Sequence, residues 1–325
     1  MNSIRQQLFT IARKDIVDAT RDKFFIVLIV FLSLAAFISL ASGSVALATD
    51  INTYNAAKET LLALGKSLDA IAAPEFYPLK LLRGAVEQIE IVGAILGVLI
   101  GFRSAISERN HQTLSIVLVR PVSNATLMGG KVIAGITLIA ASLLFVFTLL
   151  FITLAYFATT AIGMDDLFRI GIVWALSVAY MSTFFVVSMC FTFMFRSPST
   201  ALLTSFVLWL LLVLVAPQVG DTLDPDNQVA GGVFKQLHIP KAEQEQIKLG
   251  YATYETLRNG IETASVTKHF ERASFAVLGI KDTYTGMALT PIIHEKSGDL
   301  WGVIISFFVT SLFAMSRKLT LKNQH

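Results

Sequence analysis

Residues 132–164 read VIAGITLIAASLLFVFTLLFITLAYFATTAIGM, 33 positions without a charged side chain. An α-helix rising 1.5 Å per residue crosses a hydrocarbon core of ~30 Å with about 20 residues. A run of this length and composition therefore reads as a membrane-spanning helix, because lipid offers no partner to an unpaired backbone N–H or C=O. Working outward, residues 24–49 are also free of charge, and Phe24–Ser42 is the expected first span. Further spans fall within Ile170–Phe195 and Ser199–Gly220, and a shorter one at Leu300–Ser316. The remaining span is less plain. Only Ile91–Phe102 lies between Glu90 and Arg103, about 18 Å of helix, so it must extend past Glu87 and Glu90 or past Arg103. These stretches predict an all-α polytopic membrane protein with six spanning helices.

Composition agrees. Hydrophobic residues make up 54% of the 325 and charged residues 15%, with a mean hydropathy of +0.66; soluble domains carry about 25% charge. The first apolar run is long enough to span and follows a charged, helix-like segment, so it is expected to be retained rather than cleaved as a signal peptide. One cysteine, Cys190, excludes an intramolecular disulfide and a cysteine metal cluster.

Basic side chains set the expected orientation. With the N-terminus inside, the inner segments hold 13 of the 26 basic residues and four of the 23 acidic ones, a net +9 against −6 outside. Both termini are then cytoplasmic. The first outer segment, 43–88, contains an expected amphipathic helix near Asn55–Ile71. The second, 221–299, is the largest hydrophilic block, and Lys241–Arg272 within it reads as helical, with Ile247, Tyr251, Tyr254 and Ile261 at helical spacing. Ser197 and Pro198 suit the start of the fifth span, and Pro217 and Gly220 mark its far end. Residues 3–22 form an amphipathic helix with Ile4, Leu8, Phe9, Ile11, Ala12, Ile16 and Ala19 on one arc, interrupted by Arg5, Asp15 and Val17. Such a helix suits the inner headgroup layer, its cations near anionic lipid; a solvated helical tail fits the same pattern.

Three clusters are candidate functional residues. The loop 103–131 between spans two and three carries Ser107-Glu108-Arg109, then Thr113-Leu114, then Arg120-Pro121-Val122-Ser123, then Gly130-Lys131. Gly93, Gly97 and Gly101 recur every fourth residue on span two, a spacing that lets helix backbones approach closely in lipid. They could serve packing within the subunit or a dimer face. Arg83, Glu87 and Glu90 share one helix face near the outer boundary. Ionisable groups there face an interior or a water-filled cavity, which suggests an outer gate; an interfacial Arg83–Glu87 ion pair fits the spacing equally.

The loop resembles that of the permease subunits of type-2 ATP-binding-cassette (ABC) exporters. Their pattern there is Ser-Glu-Arg/Lys, two variable residues, Gly-Thr-Leu, then Arg/Leu-Pro-Val-Ser, then Gly-Lys entering the third helix. Gln112 stands where the family usually has glycine. The resemblance implies that Glu108, Arg109, Thr113, Leu114, Arg120 and Pro121 couple to a separate ATPase subunit, which holds the ATP and Mg, and that a second copy or a homologous permease completes the pathway. Within the family the chain looks similar to the nitrous-oxide-reductase maturation and sodium-exporter permeases. The setting implied is a prokaryotic plasma membrane, with lipid and an extracytoplasmic protein as further partners. Alternatively, the basic residues of the loop serve only to hold it inside.

No Gly-x-x-x-x-Gly-Lys-Ser/Thr phosphate loop occurs, so ATP hydrolysis by this chain is not expected. The five histidines are scattered and no metal or catalytic constellation is visible. The basic patches follow topology, giving no reason to expect nucleic acid. Two other readings use the same residues: a membrane scaffold or sensor with an outer binding domain, and an ion-coupled transporter. The absence of charge in spans three to five argues against the latter. The cargo is not legible: ion, lipid, peptide, sulfur species and saccharide all fit.

Overall fold

The computed structural model describes residues 4–64, 77–110, 123–157, 162–222 and 263–316, with a few isolated positions between 223 and 262. Six helical segments among them are long and apolar enough to cross a membrane: Lys23–Val45, Pro78–Arg109, Asn124–Tyr156, Met164–Met194, Pro198–Val219 and Ser297–Ser316. A short helix α1, Ile4–Arg21, precedes them.

The first span belongs to α2, Lys23–Ala63, which begins at Asp22; the Asp22 carboxylate accepts a hydrogen bond from Phe24 N at 3.0 Å. The span itself, Lys23–Val45, matches the expected Phe24–Ser42 to within three residues, but the helix continues beyond it. Residues 24–63 contain no proline, and the hydroxyls of Ser44, Thr49, Thr53 and Thr60 each bond the carbonyl four residues back instead of competing for the backbone N–H groups. The helix expected near Asn55–Ile71 is therefore, as far as Ala63, a continuation of α2; residues 65–71 lie outside the described part.

The second span extends in both directions. It starts with a tight 3-10 turn at Pro78–Leu82, continues as α3, Arg83–Gln88, passes through a π turn at Ile89–Gly93 and ends as α4, Ala94–Asn110. The third span, α5, runs Asn124–Phe157 and so starts before Val132. Ser123 explains that start, since its hydroxyl accepts Thr126 N at 3.1 Å. The fourth, α6, runs Met164–Met194. The fifth begins as α7, Pro198–Trp209, with Pro198 in its first turn; Ser197 precedes it, but its side chain makes no capping bond. The span ends at Val219, beside the expected Gly220, but the helix runs through Pro217. A π turn at Leu210–Val215 shifts the hydrogen-bond ladder just before the proline, which has no N–H to bond, and α8 continues through it, Ala216–Thr222.

The end of the second outer segment is not a solvated surface. Helix α9, Val266–Val277, starts anew at Ser265, whose hydroxyl accepts Lys268 N, so the helical reading of Lys241–Arg272 is interrupted there. Ile247, Tyr251, Tyr254 and Ile261 lie outside the described residues. Phe270, Ala273, Ala276 and Val277 of α9 are fully buried. The Phe270 ring stacks on Tyr180 of α6 at a centroid distance of 4.5 Å. Helices α10, Leu289–Glu295, and α11, Ser297–Ser316, complete the chain's described part.

Helix α6 is the axis of the bundle. Its buried side chains run from Arg169 to Phe193, and α4, α5, α7, α9 and α11 all pack on it. The glycines of span two face it. A methyl group at Gly97 would lie 2.6 Å from the Met181 carbonyl oxygen, and one at Gly101 would collide with the Phe185 carbonyl. Gly93 packs against the Met181 side chain. The three glycines therefore bring two backbones together within the subunit, where dispersion contacts rather than water expulsion hold helices in lipid. Gly97→Ala should force α4 and α6 apart and cost about 1–3 kcal/mol, the usual penalty of overpacking. Gly171→Ala, which meets only open space, is the control. Thermal melts in detergent should show a lower Tm for the first and an unchanged or slightly higher one for the second, since alanine is the better helix former.

Candidate functional site

At the end of the bundle that carries the N-terminus, α1 does not stand apart. Gly130 of α5 lets it dock closely, since a methyl group there would lie 2.8 Å from Ile11 Cβ. Ala12 is buried by the contact, while Ile4 and Phe9, on the same expected apolar arc, remain exposed. Asp15, which interrupts that arc in the sequence, faces the bundle and explains the interruption. Its carboxylate accepts from Lys131 Nζ at 2.8 Å. The Lys131 side chain is 1% exposed, and its ammonium also reaches Glu108 Oε1 at 3.4 Å and the Ser104 carbonyl at 3.3 Å. Lys14 Nζ meets the same Glu108 oxygen at 2.6 Å. Two cations and two carboxylates thus close a balanced cluster joining α1, α4 and α5. Burial opposes the Lys14 charge, but the hydrogen bond to Glu108 and the nearby Asp15 and Asp18 outweigh it, so its pKa is raised.

The neighbouring residue serves a different helix. Arg109 Nη1 donates to the Thr192 and Phe195 carbonyls at 2.7 and 2.9 Å, and Nη2 to that of Arg196 at 2.5 Å. These carbonyls close the C-terminus of α6, where backbone acceptors lack helical partners and the helix dipole favours a cation. Glu108 and Arg109, adjacent in sequence, therefore fasten the end of α4 in two directions. Glu108 is buried and braces the base of the loop. Thr113, Leu114, Arg120 and Pro121 lie outside the described residues.

The sequence profile of the ABC-2 family transporter proteins matches residues 9–293. The chain belongs to the ABC-2 permease family. Among curated proteins none matches the sequence. An ABC-2 permease is the membrane subunit of an ABC transporter and not itself a catalytic domain; the family implies partnership with an ABC ATPase subunit. The profile takes in most of α1, all of the brace and α9. Lys14 and Asp15 of this permease were missed as site residues by the sequence reading, and the charge on an otherwise apolar arc is the signal that marks Asp15.

At the opposite end of the permease, Arg83 Nε and Glu87 Oε1 pair at 2.9 Å, both partly exposed. Glu90 is 8% exposed and sits in the π turn. Such turns loosen the ladder and free carbonyls. The Tyr180 hydroxyl donates to the Glu90 carbonyl at 2.9 Å and Trp209 Nε1 to that of Ile91 at 3.3 Å. Arg83, Glu87 and Glu90 are thus split: an exposed pair on one side and a buried carboxylate residue on the other. Arg169, almost wholly buried, donates to Asp165 Oδ2 at 2.6 Å, to the Val277 carbonyl at 2.9 Å and to the Met287 carbonyl. It closes the C-terminus of α9 as Arg109 closes that of α6. His269 Nδ1 meets Asp299 Oδ1 at 2.8 Å and Nε2 meets the Thr263 carbonyl at 2.9 Å. Among the described residues, no group of three His, Cys, Asp or Glu side chains is placed to hold a metal.

Lys131→Met should leave Asp15 and Glu108 buried with only half-exposed Lys14 beside them. Breaking a buried pair from one side costs about 3–5 kcal/mol, read as a lower Tm in detergent. The Asp299 hydrogen bond raises the His269 pKa against the opposing effect of burial. A raised histidine stabilises fully below its unfolded value, about 6.5, and loses that contribution as pH rises through the higher folded value. The Tm gap between wild type and His269→Gln should therefore be widest in mildly acidic buffer and narrow with rising pH; a gap that widens instead contradicts the assignment.

Proposed function

We propose that this ABC-2 permease works in an exporter driven by ATP hydrolysis on a partner subunit, with the end bearing α1 in the cytoplasm of a prokaryotic cell. The supporting observation is the brace. The segment 111–122 is anchored at both roots: Glu108 and Arg109 on one side, Lys131 on the other. Through these anchors it reaches α1, α4, α5 and α6. A push on Thr113, Leu114, Arg120 or Pro121 from a docked ATPase would reach four helices at once. The basic excess at this end supports the same orientation.

Two copies are proposed to form the pathway. The glycine stripe is occupied inside the subunit, so the second copy must use another face. The fifth and sixth spans are candidates, because they bury the smallest share of their apolar surface. At the far end the exposed Arg83–Glu87 pair is proposed to line the exit, where an extracytoplasmic partner would meet the acidic outer segments. Differential affinity of ATP for the two states of the assembly must supply the bias between inward and outward forms.

One experiment tests orientation and partner together. In a Cys190→Ser background, a cysteine at Asn110 should resist a membrane-impermeant maleimide in intact cells and react in inverted vesicles. An ATPase subunit carrying a phosphate loop should co-purify. Labelling from outside, or purification without an ATPase, overturns the reading; the latter favours a scaffold or sensor.

A further inference from the structure

Beside the brace lies a cavity of about 710 Å³, bounded by α1, the start of α2, the end of α4, and α5 and α6. Its volume falls within the ~300–1,000 Å³ of small-molecule sites. The lining is divided. Phe24, Phe25, Ile100, Leu138 and Phe185 form an apolar floor, and charged side chains of α1 and α4 form the rim. Exposed Arg21 sets the mouth at the surface where α1 turns into the first span, with the partly exposed Phe24 ring running from it to the floor. A water-filled soluble site would waste the floor; an amphiphile satisfies both parts.

The rim charges narrow the choice. Asp22 is engaged by Arg103 Nε at 2.9 Å, Asp15 by Lys131, and Glu108 by Lys14 and Lys131. Asp18 and Arg21 also line the cavity, one turn apart on α1; Asp18 lies near enough to Lys14 to favour its charge, but among the described residues neither makes a direct ion pair. The terminal amino groups of Arg103 point no bond at any described residue, its one ion pair using Nε. The open positions are thus the Asp18 carboxylate, the Arg21 guanidinium and the terminal amino groups of Arg103, whose Nε is held by Asp22 and whose Cζ lies 5.5 Å from the centre of the Phe24 ring.

We propose that this cavity binds a zwitterionic aminophospholipid, a phosphatidylethanolamine, from the leaflet that borders α1. Its phosphate accepts from Arg21 and Arg103, its primary ammonium donates to Asp18, and the upper part of an acyl chain covers the apolar floor. Guanidinium forks suit phosphate oxygens, and an ammonium with N–H groups suits a carboxylate. A choline headgroup has no N–H to give Asp18. A phosphatidylglycerol leaves Asp18 facing an anion. This assignment does not depend on which side of the membrane α1 occupies or on the transport reading.

Native mass spectrometry of the full chain in detergent tests it, with dioleoyl phosphatidylethanolamine, phosphatidylcholine and phosphatidylglycerol added in turn. The ethanolamine lipid should stay bound at activation energies that strip the other two. Asp18→Asn and Arg21→Gln, on the exposed part of α1, should each lower its bound fraction at least five-fold, as should Ala19→Trp, which fills the cavity. Phe31→Trp, on the exposed face of α2, should change nothing. Equal retention of all three lipids means annular lipid only and overturns the proposal. So does stronger retention of phosphatidylglycerol, or full ethanolamine-lipid binding by the Asp18 and Arg21 variants.

Discussion

The ammonium of Lys131 is almost withdrawn from water at the foot of an apolar helix, and everything at this end of the permease is arranged to make that tolerable. An isolated buried cation would cost several kcal/mol. Asp15 and Glu108 remove the penalty only if α1 lies against α5 and if α4 extends far enough to deliver Glu108. One side chain therefore fixes the docking of the N-terminal helix, the length of the second span and the spacing of the two roots of the loop. Gly130 permits the approach by leaving out the methyl group that Ile11 would strike. The adjacent glycine and lysine of the sequence pattern thus have separate physical reasons, one steric and one electrostatic.

A second constraint comes from backbone contact. Gly97 and Gly101 set α4 directly on α6, and the π turns of span two and of the fifth span lie against each other, joined by the Trp209–Ile91 hydrogen bond. Tyr180 and Trp209 supply donors to the carbonyls of the first turn. A side chain reaching across to a backbone acceptor is how a helix in lipid accommodates a break in its own ladder. Arg109 and Arg169 apply the same logic at helix ends, each closing a C-terminus that lies on another element.

The spans were legible because their signal is additive: twenty apolar residues outweigh any local irregularity. The ends of the first and fifth spans were legible to within a few residues, but not that their helices run on, because hydroxyls bond back to their own turn in the first and a π turn absorbs Pro217 in the fifth. The site was legible as a motif but not as a mechanism. Glu108 and Arg109 read as coupling residues by resemblance, since sequence spacing cannot show that their partners, Lys14 and the end of α6, lie 83 or more residues away. Asp15 was visible only as an interruption. The burial of α9 was hidden in a hydrophilic block, because its apolar residues are framed by Lys268, Glu271 and Arg272. The family and its coarse function followed from the pattern once the profile matched; the cargo leaves no trace in either sequence or fold.

The first spanning helix is 41 residues long, about 62 Å at 1.5 Å per residue, roughly twice the ~30 Å of hydrocarbon it crosses. Its base is pinned where Asp22 meets Arg103, beside the brace. A pivot of about 5° there would sweep the distant tip through ~5 Å at that length. Any small rocking at one face of the membrane would thereby arrive, magnified and without any chemical messenger, at whatever stands beyond the other.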